Sequence, residues 1–142
     1  MNTGTSEIQA ILDIRLEASK TKDIDRLMAL YSPDIVYFDV VPPLNFSGTD
    51  EVRRNFQRWF DEYEGPIGLE THKLDIAVSD DVAFAHMLHV DSGTRNDSVP
   101  QGAVWLRSTV CLQRTGGKWF ITHEHISLPV GWADASREPH LQ

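Results

Sequence analysis

The segment KWFITHEHISLP, residues 118–129, places His123 and His125 two positions apart with Glu124 between them. In a strand, residues two apart project to one face, so these imidazoles share a side with Trp119, Ile121 and Ser127. Two imidazoles on one face can ligate one metal ion, but a third ligand is needed. The histidines available in the core of the predicted sheet, His86 and His89, are three apart and lie on opposite faces, so only one could join. Local spacing supplies no third ligand, and no metal is predicted. Histidine-based, metal-dependent hydrolase or lyase chemistry is the least favoured alternative. The other readings are an acid/base role and imidazoles satisfied within a sheet.

Asp39 lies late in the apolar run DIVYFDVV, between Phe38 and Val40. A carboxylate in such surroundings is costly to ionise unless paired, and a positioned carboxylate is a candidate general base. The alternative is a carboxylate that faces solvent or caps the Pro42-Pro43 loop. Tyr37 shares Asp39's face by two-residue alternation and is a candidate hydrogen-bond donor in the same cavity, or a sheet aromatic with its hydroxyl at the rim. His86, in VAFAHMLHV, is either a satisfied core histidine or, facing Asp39, the partner for proton transfer. In AVWLRST, Trp105, Arg107 and Thr109 share one strand face, where an arginine suits a carboxylate or enolate oxygen. A cross-strand salt bridge at a subunit interface explains the same arginine.

The elements that position these residues follow from periodicity. Ile8, Ile11, Leu12 and Leu16 recur at helical spacing after a capping-box pair, Ser6 and Gln9, and predict a helix to about residue 20. A short second helix is predicted from Asp23 to Tyr31, then a strand after Pro33, then a loop over PPLNFSG. Thr49 is expected to cap a third helix whose face carries Val52, Phe56, Trp59, Phe60 and Tyr63; these aromatics form core, and Trp59 is placed at the pocket as well. Four strands are predicted over 69–78, 82–92, 103–114 and 118–128, the last two joined at TGGK. Helices followed by strands indicate α+β, with helices against one face of an antiparallel sheet. A long bent sheet closing over helices makes a cone with one open mouth, a shape that holds ligands.

With 142 residues, 41% of them hydrophobic, the chain can bury one core without staples. Its single cysteine, Cys111, excludes an internal disulfide framework. A formal charge of −8 without a basic cluster disfavours nucleic acid as a partner. No apolar run approaches the ~20 residues of a membrane span, so no membrane partner is expected. The polar start MNTGTSEIQ lacks the pattern of a signal peptide, and a cytoplasmic location is expected. One domain over residues 1–130 and a partly mobile tail over 131–142 are expected.

Two strings resemble a known group. LMALYSPDIVYFDVVPPLNFSGTDEVRRNF is similar to the helix–strand–loop–helix passage of the nuclear transport factor two superfamily. VCLQRTGGKWFITHEHISLP resembles the last hairpin of its SnoaL-like branch and of the calcium/calmodulin-dependent kinase association domain. The resemblance spans about residues 6–130 and implies a cystatin-like, ketosteroid isomerase-like fold: a cone-shaped, curved antiparallel (mixed) sheet wrapped around three helices from the N-terminal half. It places Asp39 where ketosteroid isomerase keeps its general base, Arg15 at the helix-one tyrosine, and about Thr109 at the protonated aspartic acid. Two of the three catalytic parts are missing, so steroid isomerisation by that mechanism is not expected. The same alignment turns Thr122, Glu124 and Ile126 towards the cone and the two histidines away, unless a β-bulge reverses the assignment; at least one of His123 and His125 is expected at the pocket or its mouth.

The resemblance implies a cofactor-free protein that binds a small hydrophobic carbonyl-type ligand and forms a homodimer. Asp39 would take a proton beside the carbonyl in isomerase- or cyclase-like chemistry, and His86 or a histidine of the 123/125 pair would return it. The alternative is a ligand-binding or oligomerisation module without chemistry.

Overall fold

The computed structural model describes residues 3–96 and 100–129. Helices α1 (Thr3–Lys20) and α2 (Ile24–Met28) lead into strands β1 (Tyr31–Phe38) and β2 (Asn45–Ser47) and helix α3 (Gly48–Asp61). Strands β3 (Tyr63–Ser79), β4 (Val82–Arg95), β5 (Pro100–Thr115) and β6 (Lys118–Ser127) complete the chain order. The six strands form one curved, open, mixed sheet in the order β2-β1-β6-β5-β4-β3. Only the β1–β6 pair is parallel; the others are antiparallel.

The α+β order expected from periodicity holds, with local differences. Helix α1 starts at Thr3, which places Ser6 inside the helix rather than at its cap. The stretch expected as a loop before α3 contains the edge strand β2, too short and too polar to announce itself by alternation. Ser47, not Thr49, is the N-cap of α3; its backbone N–H donates to Glu51 Oε1 at 3.0 Å, and its hydroxyl makes no capping bond. EGPIG does not separate helix from sheet but lies within β3, where Gly65 takes φ 67°. The Gly116-Gly117 turn has φ 59° and 79°, the left-handed pair a two-residue hairpin demands.

The core lies between the helices and the concave face of the sheet. Val52, Phe56 and Phe60 recur along one side of α3, and Ile8 and Leu12 along one side of α1, all buried. Phe56 packs its ring against Tyr31 and Tyr37 at centroid distances of 5.3 and 5.2 Å, tying α3 to β1. Ala83, Ala85 and Met87 of β4 and Val110 and Leu112 of β5 face the same interior.

In β6, Trp119 and Ile121 point inward, as does Glu124, which breaks simple alternation. The register explains it. Leu112 pairs with Ile121 and Cys111 with His123, so Thr122 is an extra residue absorbed by a β-bulge. Beyond it, even-numbered rather than odd-numbered residues face the core.

Candidate functional site

A cavity of about 160 Å³ lies between α1, α3 and the concave face of the sheet. Its deep end is polar. Arg15 of α1 reaches Glu124 of β6 through Nε at 3.1 Å and through a second, shorter Nη2 contact, a two-pronged ion pair. Tyr31 donates its hydroxyl to Glu124 Oε1 at 2.6 Å. The Arg15 and Glu124 side chains are 11% and 1% exposed. Burial alone would push Glu124 up, but Arg15 and the Tyr31 hydroxyl hold it below the usual carboxylate range. The same partnership keeps Arg15 charged against burial, and burial raises the Tyr31 and Tyr37 phenols.

His89 of β4 lies beside this pair. Its Nε2 is 3.4 Å from Arg15 Nη1, and its Nδ1 is 3.3 Å from Thr71 Oγ1. A guanidinium only donates, so Nε2 must carry the lone pair and Nδ1 the hydrogen. Burial and the adjacent Arg15 lower the imidazole to about 4. His89 is therefore a neutral histidine held in one tautomer.

Asp39 stands at the more exposed end, where Val40 and Arg58 border the cavity. It follows directly after β1, and its N–H donates to Leu44 O at 2.9 Å, closing the loop that returns to β2. Its side chain is 9% exposed. Oδ1 accepts from the Val40 N–H at 2.6 Å and Oδ2 from Asn55 Nδ2 at 2.7 Å. Arg58 in turn donates to Asn55 Oδ1 from Nε at 3.2 Å and Nη2 at 3.0 Å. Because the amide oxygen faces Arg58, the amide N–H must face Asp39, which is thus an acceptor held by two donors. The Arg58 guanidinium lies 3.8 Å from Asp39 and is shared with Glu62 at 2.6 Å.

Asp91, two residues beyond His89 on the same strand face, also lines the cavity. Its Oδ1 is buried without a hydrogen-bond partner, and burial raises the carboxyl to about 7. Apolar walls come from Leu16, Phe56, Trp59, Leu69, Leu106 and Ile126.

Of the residues singled out in the sequence, Asp39, Tyr37 and Trp59 line this cavity. The others lie on the far side of the sheet. His86 pairs across strands with Thr109, Thr109 with His125, and His125 with Phe38, forming one rung of the convex face. His86 is 56% exposed at its side chain and sits 3.7 Å from Asp75, so it does not face Asp39. Arg107 is exposed and donates to the Leu128 carbonyl at 3.0 Å, and Trp105 packs on His72. His123 lies 2.7 Å through Nδ1 from the Val36 carbonyl, and both His123 and His125 contact the Phe38 ring. The expectation that one of the pair reaches the pocket is overturned by the Thr122 bulge, which gives the inward place to Glu124. No group of three metal-ligating side chains comes together among the described residues.

Sequence reasoning missed Arg15, Glu124, His89, Asp91 and Asn55. A signal existed for the first two: alignment put both at inward positions, and opposite charges at two inward positions imply a pair.

The SnoaL-like domain description matches residues 8–131. The chain belongs to the SnoaL-like domain family. No curated protein matches it in sequence. Among solved structures, a nuclear transport factor two-like protein of unknown function from Pseudomonas putida is 28% identical, with TM-score 0.83 over 100% of this chain and 99% of that one. A ketosteroid isomerase-like protein from Erwinia carotovora atroseptica shares the fold at 20% identity, with TM-score 0.76 over 89% and 96% of the two chains. A scytalone dehydratase candidate from Novosphingobium aromaticivorans does so at 12% identity, with TM-score 0.79 over 98% and 95%. In this SnoaL-like chain the cavity is lined by Asp39, Glu62 and Asp91, the neutral His89 and the closed Arg15–Glu124 pair.

Proposed function

We propose that this SnoaL-like chain binds a small hydrophobic carbonyl compound in the cavity and moves a proton next to the carbonyl, without a cofactor, with Asp39 as the base. The observation that carries this reading is the setting of Asp39: a largely buried carboxylate bordering the cavity, fixed by the Val40 N–H and the Asn55 amide. Two donors orient the acid yet leave each oxygen lone-pair capacity for an incoming proton. Neighbours named for isomerase and dehydratase chemistry support the reaction class only through the shared fold. At about 160 Å³ the cavity is below the roughly 300 Å³ where drug-sized sites begin, which favours a single ring over a fused-ring steroid.

The test is exchange of α-hydrogens of cyclohexanone in D₂O, followed by NMR. The wild-type protein is expected to exceed buffer, and Asp39→Asn to lose about a hundredfold. Equal exchange by both proteins, or none above buffer, rejects the proposal.

A compatible second reading, homodimer formation, is favoured by the convex face, which carries Val82 and Phe84 of β4 at 54% and 49% exposure and Phe38 of β1 at 40%. Phe84→Glu is expected to shift sedimentation from dimer to monomer; a wild-type monomer would end this reading. A cytoplasmic setting fits the single cysteine and the acidic charge.

A further inference from the structure

A second depression, open and polar, adjoins the cavity beside α3. It encloses about 670 Å³ between the second half of α3 and the end of β4, and Arg58 and Glu62 belong to the walls of both. Arg54, Gln57, Arg58 and Asp61 recur at i, i+3, i+4 and i+7, so a single stripe of α3 lines it. Arg95 of β4 supplies the facing wall. The groove thus gathers three guanidiniums against two carboxylates, on a chain whose formal charge is −8.

Both carboxylates are already engaged. Glu62 accepts from Arg58 Nη1 at 2.6 Å and lies 4.0 Å from Arg95 Nη1. Asp61 accepts from Gln57 Nε2 at 2.8 Å. Arg95 also lies over the Tyr63 ring, 6.0 Å from its centroid. Arg54 differs from the other two arginines. It is exposed and makes no hydrogen bond or ion pair among the described residues, whereas its chain neighbour Arg53 pairs with Asp25 of α2. Arg54 and Arg58 stand one helical turn apart, where like charges repel unless an anion offsets them.

We propose that this groove binds the phosphate group of a phosphate monoester, with Arg54 as its principal contact. A guanidinium presents paired N–H donors that match phosphate oxygens, and a phosphate carries enough charge to offset the local excess. The layout favours phosphate over carboxylate. Donors come from a helix and a strand, and a tetrahedral group turns oxygens in several directions, whereas a carboxylate holds two in one plane. Because Arg58 and Glu62 serve both walls, a phosphate bound here sits next to the mouth of the cavity.

Phenyl phosphate and benzoate share a ring and differ in the anion. Both would be titrated into the protein at pH 7.5 and low salt, with Kd read by ligand-observed NMR. Wild type is expected to bind phenyl phosphate saturably and benzoate about tenfold more weakly. Arg54→Gln is expected to weaken phenyl phosphate binding about tenfold. Arg53→Gln removes the same charge at the adjacent position and is expected to bind like wild type. No saturable phenyl phosphate binding, equal losses in the two variants, wild-type affinity in Arg54→Gln, or benzoate bound as tightly as phenyl phosphate would each overturn the proposal. Ketone exchange plays no part in these measurements, so the groove and the role of Asp39 stand or fall separately.

Discussion

Glu124→Leu is expected to lower the unfolding free energy by about 3–5 kcal/mol, seen as a reduced urea midpoint with little change in slope. The size follows from what is left behind. Arg15 would keep its charge at 11% side-chain exposure with no counter-charge, and the Tyr31 hydroxyl would lose its acceptor. Arg15→Met is expected to cost a similar amount for the converse reason. The double variant should recover most of the loss, because an apolar pair of like volume removes both desolvation costs together. A single-variant loss below about 1 kcal/mol would show that water reaches the pair and that the deep end is not sealed.

The second expectation concerns pH, where His89 and Asp91 act in opposite directions. His89 falls to about 4 in the folded protein, so below its ordinary range the unfolded chain binds the proton more readily. Its contribution is therefore lost as pH falls from about 6.5 to 4. Asp91 rises to about 7, so the folded protein holds the proton more tightly than the unfolded chain, and stability is lost as pH rises from about 4 to 7. Each effect is on the order of 3 kcal/mol, and over the shared window they largely cancel. The variants separate them. Relative to wild type, Asp91→Asn should gain stability as pH rises through that window, and His89→Gln should gain as pH falls. Urea unfolding at half-unit intervals from pH 4 to 8 reads both difference curves. Curves parallel to wild type would mean that neither group is desolvated as described.

Much of the scaffold was legible because it depends on periodicity. The apolar stripes of α1 and α3 and the long runs of β4–β6 are set by burial on one face, which recurs in sequence at 3.6 or 2 residues. Asp39 and Tyr37 were legible as cavity residues because the inward positions alternate from Ile35 through Tyr37 to the end of β1. Beyond that, parity decided the outcome. His86 and His89 differ by an odd number of positions, so finding which one faces inward requires an anchor, and the buried run Ala83, Ala85, Met87 supplies it only once the sheet is assembled. In β6 the anchor misleads: Trp119 and Ile121 are inward, yet the bulge resets the strand before the histidines. A bulge has no composition of its own when the extra residue is a threonine. Asp91 was invisible for another reason, since a carboxyl raised to about 7 by burial looks in sequence like any charged residue near a strand end.

The Arg15–Glu124 pair has a meaning for assembly as well as for packing. Slipping β6 by one position, so that the extra residue were ironed flat, would set an imidazole against the guanidinium and strand the carboxylate outdoors, a mismatch that greasy neighbours such as Ile121 could not detect. An oppositely charged couple buried across helix and sheet thus discriminates against a one-residue slip of the last strand.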